Sequence, residues 1–135
     1  MHESGLLNPA SWLAACQKVF VILCLFIHYS CEKALPTLES FNQEVWKEDK
    51  NACQQKRTLM LSALREQKNK LQGLSETQII KLLGRPDQNE LYKRNQKFYY
   101  YYLQPGPSCA PDSLKTLKLV LRFNAMGRAK EISIE

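Results

Sequence analysis

Histidine supplies most acid–base and metal-ligand chemistry near neutral pH. This chain of 135 residues has two, His2 and His28. It contains no glycine-rich phosphate loop, no G-x-S-x-G elbow and no H-E-x-x-H pair. Neighbouring carboxylates such as Glu48 and Asp49 lie in polar sequence, where a solvated surface is their ordinary state. These residue types and spacings point away from catalysis, with no metal, cofactor or small-molecule substrate expected. Cysteine is the other reactive type. The five are Cys16, Cys24, Cys31, Cys53 and Cys109, none in a C-x-x-C or other metal-ligand spacing. Cys53 and Cys109 are either a disulfide or two separate thiols, one buried as a small hydrophobe. In an oxidising compartment the disulfide is the expectation.

The residues around Cys31 bear on that compartment. Val19 to Ile27 reads VFVILCLFI, behind Lys18. Such a run is shorter than the roughly 20 apolar residues that span a bilayer, and its place near the N-terminus suits a secretory signal. The alternative is a buried helix of a cytosolic protein. The run closes on His28-Tyr29-Ser30-Cys31, which resembles a bacterial lipoprotein processing site. That resemblance implies cleavage before Cys31 and lipidation of its thiol. The expected organisation is a signal peptide over 1–30, a lipidated Cys31 with a tether or arm over 31–52, and a folded domain over 53–135. Removal of the signal leaves no histidine, which excludes the usual Ser-His and Cys-His pairs from the processed chain.

Several elements must position whatever the domain presents. Residues 41–50, FNQEVWKEDK, fit a short turn of helix or an extended arm. Lys56 to Leu71 has Met60, Leu61, Leu64 and Leu71 on one side and charged or amide residues on the other, predicting one amphipathic helix. Ser75 and Gln78 have capping-box spacing, with Leu74 and Ile79 placed as a hydrophobic staple. Gly84 and Pro86 stop that second helix. FYYYYL at 98–103 is an aromatic strand, and Leu91-Tyr92-Lys93 is a candidate partner across Arg94-Asn95-Gln96. Pro105, Gly106, Pro107 and Pro111 mark a long loop. Alternation over 117–123 and again over 129–134 gives two more strands, joined by a turn at Asn124–Gly127. The expected class is α+β, two helices on one face of a three-stranded antiparallel meander.

The run Leu74-Ser75-x-x-Gln78-Ile79-Ile80-x-Leu82-Leu83-Gly84-x-Pro86-Asp87, then an aromatic strand, a long turn and a final hydrophobic hairpin, resembles the SmpA/OmlA group of small outer-membrane lipoproteins, also called BamE-like. The resemblance covers about residues 71–135. It implies an ααβββ domain at the envelope, facing the periplasm, with a binding role in outer-membrane assembly or integrity.

Charge offers a competing function. Lys and Arg number 19 against 13 Asp and Glu, a net +6. Aromatics in a basic strand can stack nucleic-acid bases, and Lys93, Arg94 and Lys97 flank FYYYYL. The cations are otherwise scattered and an export signal removes the chain from nucleic acid, so an envelope protein partner and a membrane anchor are expected instead. A secreted inhibitor contacting an enzyme through the loop around Gln104–Pro111 is a third reading. Strand alternation places Tyr99, Tyr101 and Leu103 against the helices. Phe98, Tyr100 and Tyr102 then form an outward stripe, rimmed by Lys118 and Arg122 and suited to protein binding.

Overall fold

The computed structural model describes residues 33–111 and 116–135. The expected signal segment and Cys31 lie outside the described residues. Among the described residues, four α-helices and a four-stranded antiparallel sheet make an α+β fold. The helices are α1 (Gln43–Glu48), α2 (Lys56–Leu59), α3 (Leu61–Gln67) and α4 (Glu76–Leu83). The strands β1 (Gln88–Tyr92), β2 (Gln96–Tyr102), β3 (Lys118–Phe123) and β4 (Ala129–Ile134) pair in chain order.

α1 forms because Asn42 accepts from the Glu44 and Val45 N–H groups at 3.1 Å each, satisfying two free donors of its first turn. It carries Trp46 into the core, fully buried, with Nε1 donating to the Leu83 carbonyl at 3.0 Å. Leu38 is also buried. The stretch expected as a tether or arm over 31–52 therefore contributes to the core from Leu38 onward, and the compact unit runs Lys33–Glu135. Phe41, Val45 and Trp46 are too few apolar positions, over one short segment, for periodicity alone to separate a docked helix from an arm.

The helix expected over 56–71 is divided. Met60 (φ −95°, ψ 4°) separates α2 from α3, and Lys68–Leu71 is a 3-10 turn. The apolar spacing continues through the break, and Met60, Leu64 and Leu71 all reach the core. Arg57, expected on the wet face, is 1% exposed. α4 begins at its capping box: the Gln78 N–H donates to Ser75 Oγ (3.2 Å) and the Ser75 N–H to Gln78 Oε1 (2.9 Å). Leu74, Ile79, Leu82 and Leu83 are fully buried. Gly84 ends the helix at φ +78°, a backbone state that costs glycine little, and its N–H donates to the Ile80 carbonyl.

The sheet has one strand more than expected. β1 pairs with β2 from Gln88 opposite Tyr100 to Tyr92 opposite Gln96. All five of its residues are exposed, so neither face of β1 carries the buried alternation that marks a strand in sequence. Tyr99 and Tyr101 of β2, Leu103 just beyond its end, and Leu119, Leu121 and Phe123 of β3 form one core with the helices.

Cys53 and Cys109 are joined in a disulfide, with Cα atoms 5.7 Å apart. The bond ties the turn after α1 to the proline-rich loop after β2. The Gly106 N–H reinforces that tie by donating to the Asn51 carbonyl at 2.8 Å.

Candidate interaction surface

The outer face of the sheet is set by register. Phe98 stands opposite Arg122, Tyr100 opposite Val120 and Tyr102 opposite Lys118. Tyr99 and Tyr101 point to the helices and are buried. On the outer side, Tyr92 meets Phe98 edge-on at 5.9 Å between centroids, and Phe98 stacks on Tyr100 at 6.3 Å. Tyr92 is 52% exposed, and Phe98 and Tyr100 are half-buried. The Lys118 ammonium lies 4.8 Å from the Tyr100 ring centroid, within cation–π range. The Tyr100 hydroxyl donates to Glu90 at 3.0 Å.

Tyr102 does not belong to this exposed row. It is 5% exposed, because the loop after β2 folds over it. Gly106 lies so close that a Cβ there would stand 2.8 Å from the Tyr102 ring, an approach only glycine permits. The stripe expected to end at Tyr102 starts instead one strand earlier, at Tyr92. Arg122 is on the expected face but engaged there: its guanidinium donates to Glu131 and, at 3.2 Å, to Gln96 Oε1. Arg122 therefore braces β2, β3 and β4 together, and Lys118 is the cation that meets the aromatic row.

A buried polar node underlies this face. Asp87, just before β1, accepts from the Arg57 guanidinium at 2.5 Å, the Tyr102 N–H at 2.8 Å and the Asn51 N–H at 2.9 Å. Arg57 also donates to the carbonyls of Trp46 (3.0 Å) and Tyr102 (3.2 Å), and its guanidinium sits 4.6 Å from the Trp46 ring centroid. Asp49 accepts the Arg57 N–H at 3.0 Å and the Gln54 N–H at 2.8 Å. Three separate segments are thus fixed against one another. In the sequence, Asp87 reads only as the tail of a helix-stop motif. Its partner lies 30 residues away, and no local spacing links the two.

The hydroxyls of Tyr99, Tyr100 and Tyr101 each donate a hydrogen bond. Burial, then the hydrogen bond and charge of Glu76, push the Tyr99 hydroxyl up to about 12. Burial first, then Glu90, raises Tyr100. Tyr101 is raised chiefly by burial, and its hydroxyl donates to the Gly84 carbonyl at 2.8 Å. Lys97, one of the cations flanking the aromatic run, bonds both oxygens of Glu76 at 3.1 and 3.0 Å. No group of three or more His, Cys, Asp or Glu among the described residues could hold a metal ion. No described helix is long and apolar enough to cross a membrane. No family model matches this chain, and no curated protein or solved structure is significantly similar to it.

Proposed function

We propose that this chain is a non-catalytic protein-interaction module of the bacterial envelope, held at the membrane through a lipid on Cys31, with the outer sheet face as its contact surface. The observation that carries this is the row Tyr92–Phe98–Tyr100 with Lys118 at its end, left accessible where the opposite sheet face is covered by helices. Accessible aromatic clusters beside a cation are the composition of binding hot spots. Membership of the SmpA/OmlA group is part of the same proposal: α2–α4 followed by β2–β4 would be its ααβββ unit, with α1 and β1 as additions. A nucleic-acid role is less well supported, because Tyr99, Tyr101 and Tyr102 of the aromatic run are buried and Lys97 is paired with Glu76.

The test is a double substitution, Phe98→Ser with Tyr100→Ser. Both side chains stand outside the core, so the melting temperature should stay close to that of the parent. In-cell cross-linking should lose the envelope partner. A folded variant that keeps every cross-linked partner removes this face as the contact surface. Labelling with a palmitate analogue tests the anchor separately: the parent should carry label and Cys31→Ala should not. Equal label on both, or none on either, ends the lipidation proposal.

A further inference from the structure

The two edges of the sheet differ. Along the first half of β4 the outward carbonyls and the Ala129 N–H are occupied by the segment after α3. The Gly73 N–H donates to the Ala129 carbonyl (2.8 Å), the Ala129 N–H to the Leu74 carbonyl (2.9 Å), and the Gln72 amide to the Lys130 carbonyl (3.3 Å). Lys68 reaches the Ile132 carbonyl at 3.5 Å. The opposite edge, β1, has no strand beyond it. Every second residue of an edge strand turns its N–H and C=O away from the sheet, and none of the other described segments caps those groups on β1. Unprotected strands of this kind take an added strand.

The chemistry along β1 selects what is added. Leu91 is 70% exposed and Tyr92 52%, and adjacent strand residues face opposite sides, so an incoming strand finds apolar contact on both. Arg85 stands before β1 and Lys93 and Arg94 follow it; none has an ion-pair partner among the described residues. Cations therefore flank both ends of a five-residue strand, about 17 Å long. Glu90 sits at its centre, bonded to Tyr100.

This pattern opposes self-pairing. Two β1 strands joined antiparallel about their centres would set Glu90 opposite Glu90 and bring Lys93 and Arg94 of each copy toward Arg85 of the other. Like charges directly opposed are unfavourable, and each chain already carries +6. We infer that β1 receives an extended segment of a partner protein as a fifth strand, and that this segment is acidic at both ends and uncharged at its centre. The inference rests on the interaction reading above and deepens it, since Tyr92 belongs to both the edge and the aromatic row.

The probe is acetyl-Glu-Glu-Val-Thr-Val-Glu-Glu-amide, whose symmetric side-chain pattern serves either strand direction. It is titrated into the full chain and followed by backbone amide NMR. Shifts should concentrate at Gln88–Tyr92, with slowed hydrogen exchange at alternate residues. The same peptide with Lys for Glu should bind at least about tenfold more weakly, and so should the acidic peptide to the Lys93→Glu, Arg94→Glu variant. An acidic peptide N-methylated at every backbone nitrogen should fail to bind, since strand addition depends on its N–H groups. Undiminished binding after N-methylation, equal binding of the basic peptide, or shifts centred away from β1 would each overturn the inference. The cross-linking test at Phe98 and Tyr100 stands apart from these outcomes: loss of the partner there with no peptide binding at β1 would leave the interaction reading and remove only the added strand.

Discussion

Asp87 and Arg57 are 2% and 1% exposed at their side chains, and their charges meet inside the fold. Removing one partner of such a pair leaves the other buried without compensation, which typically costs about 3–5 kcal/mol. Arg57→Ala should lose stability of that order in denaturant melts. Asp87→Ala should lose at least as much, because the Asn51 and Tyr102 N–H groups lose their acceptor as well. A loss under about 1 kcal/mol in both variants would mean that the node contributes little. The tyrosines give a pH prediction. Tyr99 has its proton held up to about 12 in the fold, against an ordinary value of 10.0. Between those values the unfolded chain binds fewer protons than the folded one, so stability falls as pH rises. The contribution is complete below pH 10 and is lost as pH passes through about 12. Melting temperature should decline across that window, and Tyr99→Phe should make the decline shallower. An unchanged slope would remove Tyr99 as a source of it.

At the scale of elements, α4 is the support on which the sheet rests. Its capping box ties the first turn to Ser75, and Leu74 and Ile79 bury the entry and the first full turn. Ser75→Ala should cost about 1 kcal/mol, as lost N-caps do. Ile79→Ala or Leu82→Ala should cost about 2–5 kcal/mol, because both are fully buried and would leave cavities. Urea melts measure all three. The loop after β2 is a second element with a defined task. It places Gly106 on the Tyr102 ring and shortens the outer aromatic row at that end.

For the whole molecule, the disulfide joins positions 56 residues apart in sequence. Chain-entropy reasoning gives a stabilisation on the order of 4 kcal/mol for a closed loop of that length. Cys53→Ser with Cys109→Ser should lower stability toward that amount. It should also loosen the loop over Tyr102, so nitration of Tyr102 followed by mass spectrometry should rise. Unchanged nitration would show that the Gly106 contact with Asn51 and the Tyr102 ring holds the loop without the bond.

The α+β class, the capping box and the inward set Tyr99, Tyr101 and Leu103 follow from sequence alone, because each rests on residues within a few positions of one another. Ser75 needs only Gln78 three residues on, and alternation through FYYYYL needs only neighbours. The remaining features depend on distant residues. β1 was legible only as a fragment, since an edge strand with no buried face carries no alternation. Tyr102 alternates outward like Tyr100, yet a loop returning from 104–111 covers it, and local periodicity has no knowledge of that return. The burial of Arg57 was hidden for the same reason: a cation on an amphipathic segment reads as wet until Asp87, Trp46 and the Tyr102 carbonyl close around it. Tertiary structure decided which edge of the sheet stays open along its whole length as well, because the first half of β4 is capped by a segment more than 50 residues earlier in the chain and β1 by none of the described segments.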